Sequence, residues 1–187
     1  MQKDVLVVSI ARTPIGKAYR GAFNDTQAQT LAGHVIKTAI EKAKLEKEIV
    51  EDVIMGAALQ QGTTTMNIAR QSALRAGLPV TVPGMSVDRQ CASGLMAIMI
   101  AGDRIAAGDI EIAVAGGVES ISLVQNEKAN QFRAFDPWLV KHCPAIYMTM
   151  IETAEIVAER YGISRDAQDH YAAESHKRTK QAIEGDY

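Results

Sequence analysis

Apolar and polar positions along the chain switch between short β-type runs and longer segments of helical period. Residues 5–10 are rich in β-branched side chains and stop at Arg-Thr-Pro-Ile-Gly (12–16), where proline and glycine mark a loop; this predicts a first, central strand. Asp25 or Thr26 then stands where it can cap a helix whose apolar positions Leu31, Val35, Ile36, Ala39, Ile40 and Ala43 recur at helical spacing. A buried strand follows over 52–59, and a second helix begins at an Asn67 cap and ends near Gly77 and Pro79. A strand resumes at 85–87. After a short polar turn, 95–107 is apolar on nearly every helical face, the pattern of a helix buried between layers. Gly108 and Asp109 end it, and 110–115 reads as a strand closing on Gly116 and Gly117, a glycine pair that the spacing assigns to close packing.

Strands alternating with helices in this way predict an α/β fold. Beyond Ser120 the pattern changes. A polar stretch at 125–133 leads to Phe135, Pro137, Trp138 and Pro144, which read as an insertion or covering segment, and two helices follow over 153–161 and 167–183, the second capped by Ser164. The expected organisation is an α/β domain over 1–120 and the beginning of a covering segment over 121–187.

Composition narrows the function classes. With 187 residues, 47% of them apolar, the chain can bury a core, and 20 basic against 22 acidic residues give no field that would attract nucleic acid or an anionic membrane. The start lacks a basic, then long apolar, then small-residue leader pattern, and no apolar run reaches the roughly 20 residues that cross a bilayer, so a cytoplasmic location is expected. Cys91 and Cys143 lie far apart, and His34, His142, His170 and His176 form no ligand spacing, so neither a disulfide nor a metal is expected.

Cys91 carries the candidate chemistry. The order strand, sharp turn, cysteine, small residues, helix places its thiol at a helix N-terminus, where open backbone N–H groups and the helix dipole favour a thiolate. Ala92, Ser93 and Gly94 are small enough for N–H groups to approach a substrate carbonyl oxygen, as an oxyanion site requires. From spacing alone, a nucleophile and a small buried residue at a strand-to-helix junction are equally good readings. A helix terminus contributes up to about 2 kcal/mol, roughly 1.5 pKa units against a free thiol near 8.5, so a nucleophilic Cys91 needs a further base.

Asp-Arg-Gln-Cys-Ala-Ser-Gly-Leu-Met-Ala at 88–97 resembles the active-site signature of thiolases. The likeness extends to Ala-Arg-Thr-Pro-Ile-Gly-Lys at 11–17, Val-Ala-Gly-Gly-Val-Glu-Ser-Ile-Ser at 114–122 and the segment 153–169, and so spans essentially the whole chain. The resemblance implies a layered αβαβα architecture, of which this chain would be the N-terminal half with the start of the covering loop. It implies an acyl-CoA acyltransferase that makes or cleaves 3-ketoacyl-CoA, with Cys91 catalytic, Met150 lining the acyl pocket, coenzyme A thioesters as substrates, no cofactor, and a homodimer or homotetramer when complete. Ile151 stands where glycine is common in the family, and Asp88 where asparagine is usual, with Arg89 placed to neutralise it. The histidine of a Gly-His-Pro motif and the cysteine of a Cys-x-Gly motif, which complete thiolase sites, do not occur in this sequence. The chain therefore reads as a front half, inactive alone; the alternative reading is a non-catalytic thiolase-like subunit or binding module.

Overall fold

The computed structural model describes residues 4–185, so expectations drawn from Met1 and from the end at Tyr187 lie outside it. The chain packs as two compact units, one up to Asn130 and one from Gln131.

The first unit is built on a three-stranded parallel sheet. Strand β1 (Asp52–Gly56) is its centre, flanked by β2 (Gly84–Val87) and β3 (Ala113–Gly117). Val53 lies opposite Gly84 on one side and Val114 on the other, and Gly56 opposite Val87 and Gly117. Every residue of β1 is buried, as a parallel strand covered on both faces must be. Its side chains alternate between two cores. Val53 and Met55 enter one cluster with Ile36 and Ile40 of α1 (Ala28–Ala43) and Ala69 and Ala73 of α2 (Ile68–Arg75). Ile54 points the other way, against Ala97 and Ala101 of α3 (Ser93–Ala107). The unit is thus three layers, with α1 and α2 on one face of the sheet and α3 on the other.

Most of the sequence-predicted elements are present, with three corrections. Residues 5–10 form no strand. Leu6 and Val7 are 78% and 77% exposed, and an open apolar cavity of about 930 Å³ lies among residues 5–12, β3, α1 and α3. High β-propensity lets a segment extend, but a ladder needs an adjacent backbone, and the cavity keeps the edge of β3 out of reach. The second correction concerns α3, which buries only the Ser93, Ala97 and Ala101 stripe, leaving Leu95, Ile98 and Met99 exposed. One layer covers it where the pattern anticipates two. Thirdly, α1 is not capped by Asp25 or Thr26; the Ala28 N–H donates to the hydroxyl of Thr63, a residue 35 positions away, at 2.9 Å.

Local chemistry succeeded where the partner was a sequence neighbour. The Asn67 side chain accepts from the Arg70 N–H at 3.1 Å while its backbone takes a left-handed φ of 59°, and Gly108 ends α3 at φ 79°. The glycine pair lies inside β3 rather than after it. A short helix α4 (Ile121–Val124) completes the first unit.

The second unit holds α5 (Pro137–His142), α6 (Met150–Arg160) and α7 (Arg165–Glu184). Thr149 and Glu152 form a reciprocal capping box on α6, and the Ser164 hydroxyl accepts from the Ala167 N–H at the start of α7. Among the described residues no helix is long and apolar enough to cross a membrane.

Candidate active site

Cys91 lies in the turn between β2 and α3, one residue before the Ala92 cap, with its thiol side exposed. The turn is closed by short-range hydrogen bonds. The Ala92 N–H donates to the Arg89 carbonyl at 3.1 Å and the Ser93 N–H to the Gln90 carbonyl at 3.0 Å. The Ser93 hydroxyl accepts from the Arg89 N–H at 2.8 Å and donates to the Gln90 carbonyl at 2.5 Å. Gln90 takes the left-handed φ of 49° that so sharp a reversal demands.

These bonds occupy the N–H groups of Ala92 and Ser93. Those of Gly94 and Leu95 meet no acceptor among the described residues, and they open at the N-terminus of α3, three and four residues after Cys91. Open helix-start donors next to an exposed thiol are what stabilisation of a thiolate, or of a carbonyl oxygen turning into an oxyanion, calls for.

The seat of the turn is glycine backbone. A Cβ on Gly56, at the end of β1, would fall 2.2 Å from the carbonyl carbon of Ser93. A Cβ on Gly117, at the end of β3, would fall 3.2 Å from the Gly94 Cα. The first turn of α3 therefore rests directly on the ends of two strands. The glycine pair was legible as packing; Gly56 passed unnoticed, although a glycine closing a buried strand is itself a sign of close backbone approach.

Asp88 helps to shape the turn. Its Oδ1 accepts from the Gln90 N–H at 2.8 Å, and among the described residues it makes no ion pair with Arg89. Just beyond β3, the Glu119 carboxylate accepts from the Ala58 N–H at 2.7 Å. Desolvation pushes its pKa above the usual glutamate range, against the lowering effect of the Ala58 and Leu59 N–H groups and with a further upward push from Asp88. Sequence reasoning passed over Glu119, although it stands within the segment 114–122.

The remaining candidates fall on other elements of the chain. His34 is exposed on α1, in the layer across the sheet from α3. Met150, expected to line the acyl pocket, is the first residue of α6 in the second unit and is 72% exposed. Cys143, exposed, follows α5 in that unit, where His142 stacks on Trp138 with ring centroids 4.3 Å apart. Among the described residues no group of three or more histidine, cysteine or acidic side chains is placed to hold a metal ion.

Residues 5–187 match the family described as thiolase, N-terminal domain. The chain is 37% identical over 181 residues to the 3-ketoacyl-CoA thiolase of Bacillus subtilis, covering 97% of this chain and 46% of that protein. It is 40% identical over 189 residues to the acetyl-CoA acetyltransferase of Cupriavidus necator, covering 96% and 48%. The crystal structure of the Bacillus anthracis acetyl-CoA acetyltransferase superposes with a TM-score of 0.81 at 36% identity, over 98% of this chain and 48% of that one. The chain thus spans about half the length of the relatives it matches. A parallel α/β sheet carrying an exposed cysteine at a glycine-seated helix start, matched over nearly its whole length, places this chain in the thiolase family, as its N-terminal domain.

Proposed function

We propose that this chain is the nucleophile-bearing half of an acyl-CoA acyltransferase in which Cys91 becomes acylated. One observation supports this above the rest: the residues of the thiolase-like signature fold into a turn that leaves Cys91 exposed just before the N-terminus of α3, where the N–H groups of Gly94 and Leu95 meet no acceptor among the described residues. In the reaction, the Cys91 thiolate adds to the thioester carbonyl, and the oxygen carries the negative charge while those N–H groups face it. Collapse expels coenzyme A as its thiolate, which takes up a proton, and leaves the acyl group on Sγ. The acyl group then passes either to the α-carbon of a second acyl-CoA, which has given up a proton to a base, or to the thiolate of coenzyme A. The first direction builds 3-ketoacyl-CoA and the second belongs to its cleavage.

A cysteine nucleophile of this kind works with a base that activates it. In the resembled family a histidine and a second cysteine supply that function, and neither of their motifs occurs in this sequence. Met150 as a pocket residue, the cytoplasmic location and a homo-oligomer of the completed enzyme belong to the same proposal.

The missing base suggests a direct test. At a pH above about 8.5 a free thiol ionises unaided. Incubation of the chain with acetyl-CoA at alkaline pH is expected to add the mass of one acetyl group, mapped to Cys91, with Cys143 as an internal reference. Cys91→Ala should abolish the adduct. Acetylation of Cys143 at the same rate as Cys91 would remove the nucleophile assignment.

A further inference from the structure

The ends of the three strands are stitched together beneath the Cys91 turn. The Ala57 N–H donates to the Val87 carbonyl and the Val118 N–H to the Gly56 carbonyl, each at 3.0 Å, joining β1 to β2 and to β3. Glu119 adds the only side-chain link in this set, reaching from the end of β3 to the Ala58 N–H at 2.7 Å. The bond is charge-assisted, and it falls two residues beyond each of the glycines, Gly56 and Gly117, on which the first turn of α3 rests.

We infer that Glu119 is a positioning residue for Cys91, acting through Gly56 and Gly117: its carboxylate locks the ends of β1 and β3 in the spacing that holds the open N–H groups of Gly94 and Leu95 at the thiol. The chemical reason lies in tolerance. Where the first turn of α3 meets the strand ends the contact is backbone on glycine, so the separation of the two strand ends bears directly on where its donors point. Glu119 is an exposed residue, yet partial desolvation of its carboxyl raises its pKa, so holding the carboxylate against the Ala58 N–H carries a cost. Asp88 is the charged group that acts on Glu119 from β2's end, and it is committed to the Gln90 N–H.

The inference rests on Cys91 being the nucleophile, but its readout is thiol alkylation rather than acyl transfer, so failure of one is distinguishable from failure of the other. The rate of iodoacetamide labelling is followed across a pH series by peptide mass spectrometry, with Cys143 as reference. In Glu119→Ala the midpoint at Cys91 is expected to rise, by at most the roughly 1.5 units a helix terminus supplies, with labelling near neutral pH slowed by up to about 30-fold. Glu119→Gln, which keeps a carbonyl acceptor for Ala58, should stay close to the parent, and Cys143 should not move in any variant. A purely electrostatic carboxylate predicts the opposite, because removing a negative charge lowers the midpoint in both variants. An unchanged or lowered midpoint in Glu119→Ala overturns the inference. Glu119→Asp, which keeps the charge and shortens the reach by one methylene, carries the same test if the alanine variant does not fold: a raised midpoint supports the role and an unchanged one refutes it.

Discussion

At the scale of single residues, the site depends on atoms that are absent as much as on those present. Gly56→Ala would drive a methyl group into the Ser93 carbonyl, and neither backbone can yield without moving the start of α3. The expected cost is about 1–3 kcal/mol, read as a fall in the urea midpoint, together with slower labelling of Cys91. Gly117→Ala meets its neighbours at 3.2 Å and should give the same pattern more weakly. Glu119 makes a prediction in pH. Its folded-state pKa is raised, so the stability it contributes is complete below the ordinary glutamate value, about 4.3, and is lost as pH rises through the folded value. Glu119→Gln, which has no charge to desolvate, should therefore gain in stability relative to the parent as pH rises through the acidic range, with a flat difference above it. Thermal unfolding of both proteins from pH 3 to 7, roughly spanning that range, checks this; a difference that is constant with pH would show that the carboxylate is not desolvated.

At the scale of elements, helix ends divide by where their partners come from. Asn67, Ser164 and the Thr149 with Glu152 pair all act on N–H groups three residues away; the first two were legible from sequence, whereas the capping box was passed over and the helix placed from 153 instead of Met150. The α1 start was not, because Thr63 reaches it across 35 positions and only the packed fold brings the two together. Asn67→Ala should cost about 0.5–2 kcal/mol for the lost cap, plus the strain of placing alanine at φ 59°. Asn67→Gly, which relieves that strain, should recover part of the loss in urea denaturation. Strand β1 is the other decisive element. Ile54 is wholly buried between Ala97 and Ala101, and Ile54→Ala is expected to cost about 2–5 kcal/mol, because small neighbours on a helix cannot close the gap.

At the scale of the whole molecule, the first unit combines a sheet packed on both faces with an exposed apolar flank. Leu6, Val7, Val8 and Ile10 stand open to solvent beside the cavity that separates them from β3, and Leu95, Ile98 and Met99 extend the apolar surface along α3. Contiguous apolar surface of this kind drives association. The chain should bind a solvatochromic dye such as ANS and self-associate with rising concentration in sedimentation. Replacing Val7 by lysine should reduce both with little change in the unfolding midpoint, since a side chain 77% exposed contributes little to the core. Undiminished dye binding would locate the sticky surface elsewhere.

The sequence by itself determined the class of fold, most of the helices, the Asn67 and Ser164 caps, and the cysteine proposed as the nucleophile. These are properties of period and of neighbouring residues, which chain order specifies directly. Only the tertiary structure decided that the central strand is Asp52–Gly56 rather than residues 5–10, that α3 is covered on one face, that Gly56 and Gly117 seat the Cys91 turn, and that Glu119 reaches the Ala58 N–H. Each of these depends on which backbones come within a few ångströms of each other from distant points along the chain. Propensity fixes what a segment is able to become; contact across the fold fixes what it is.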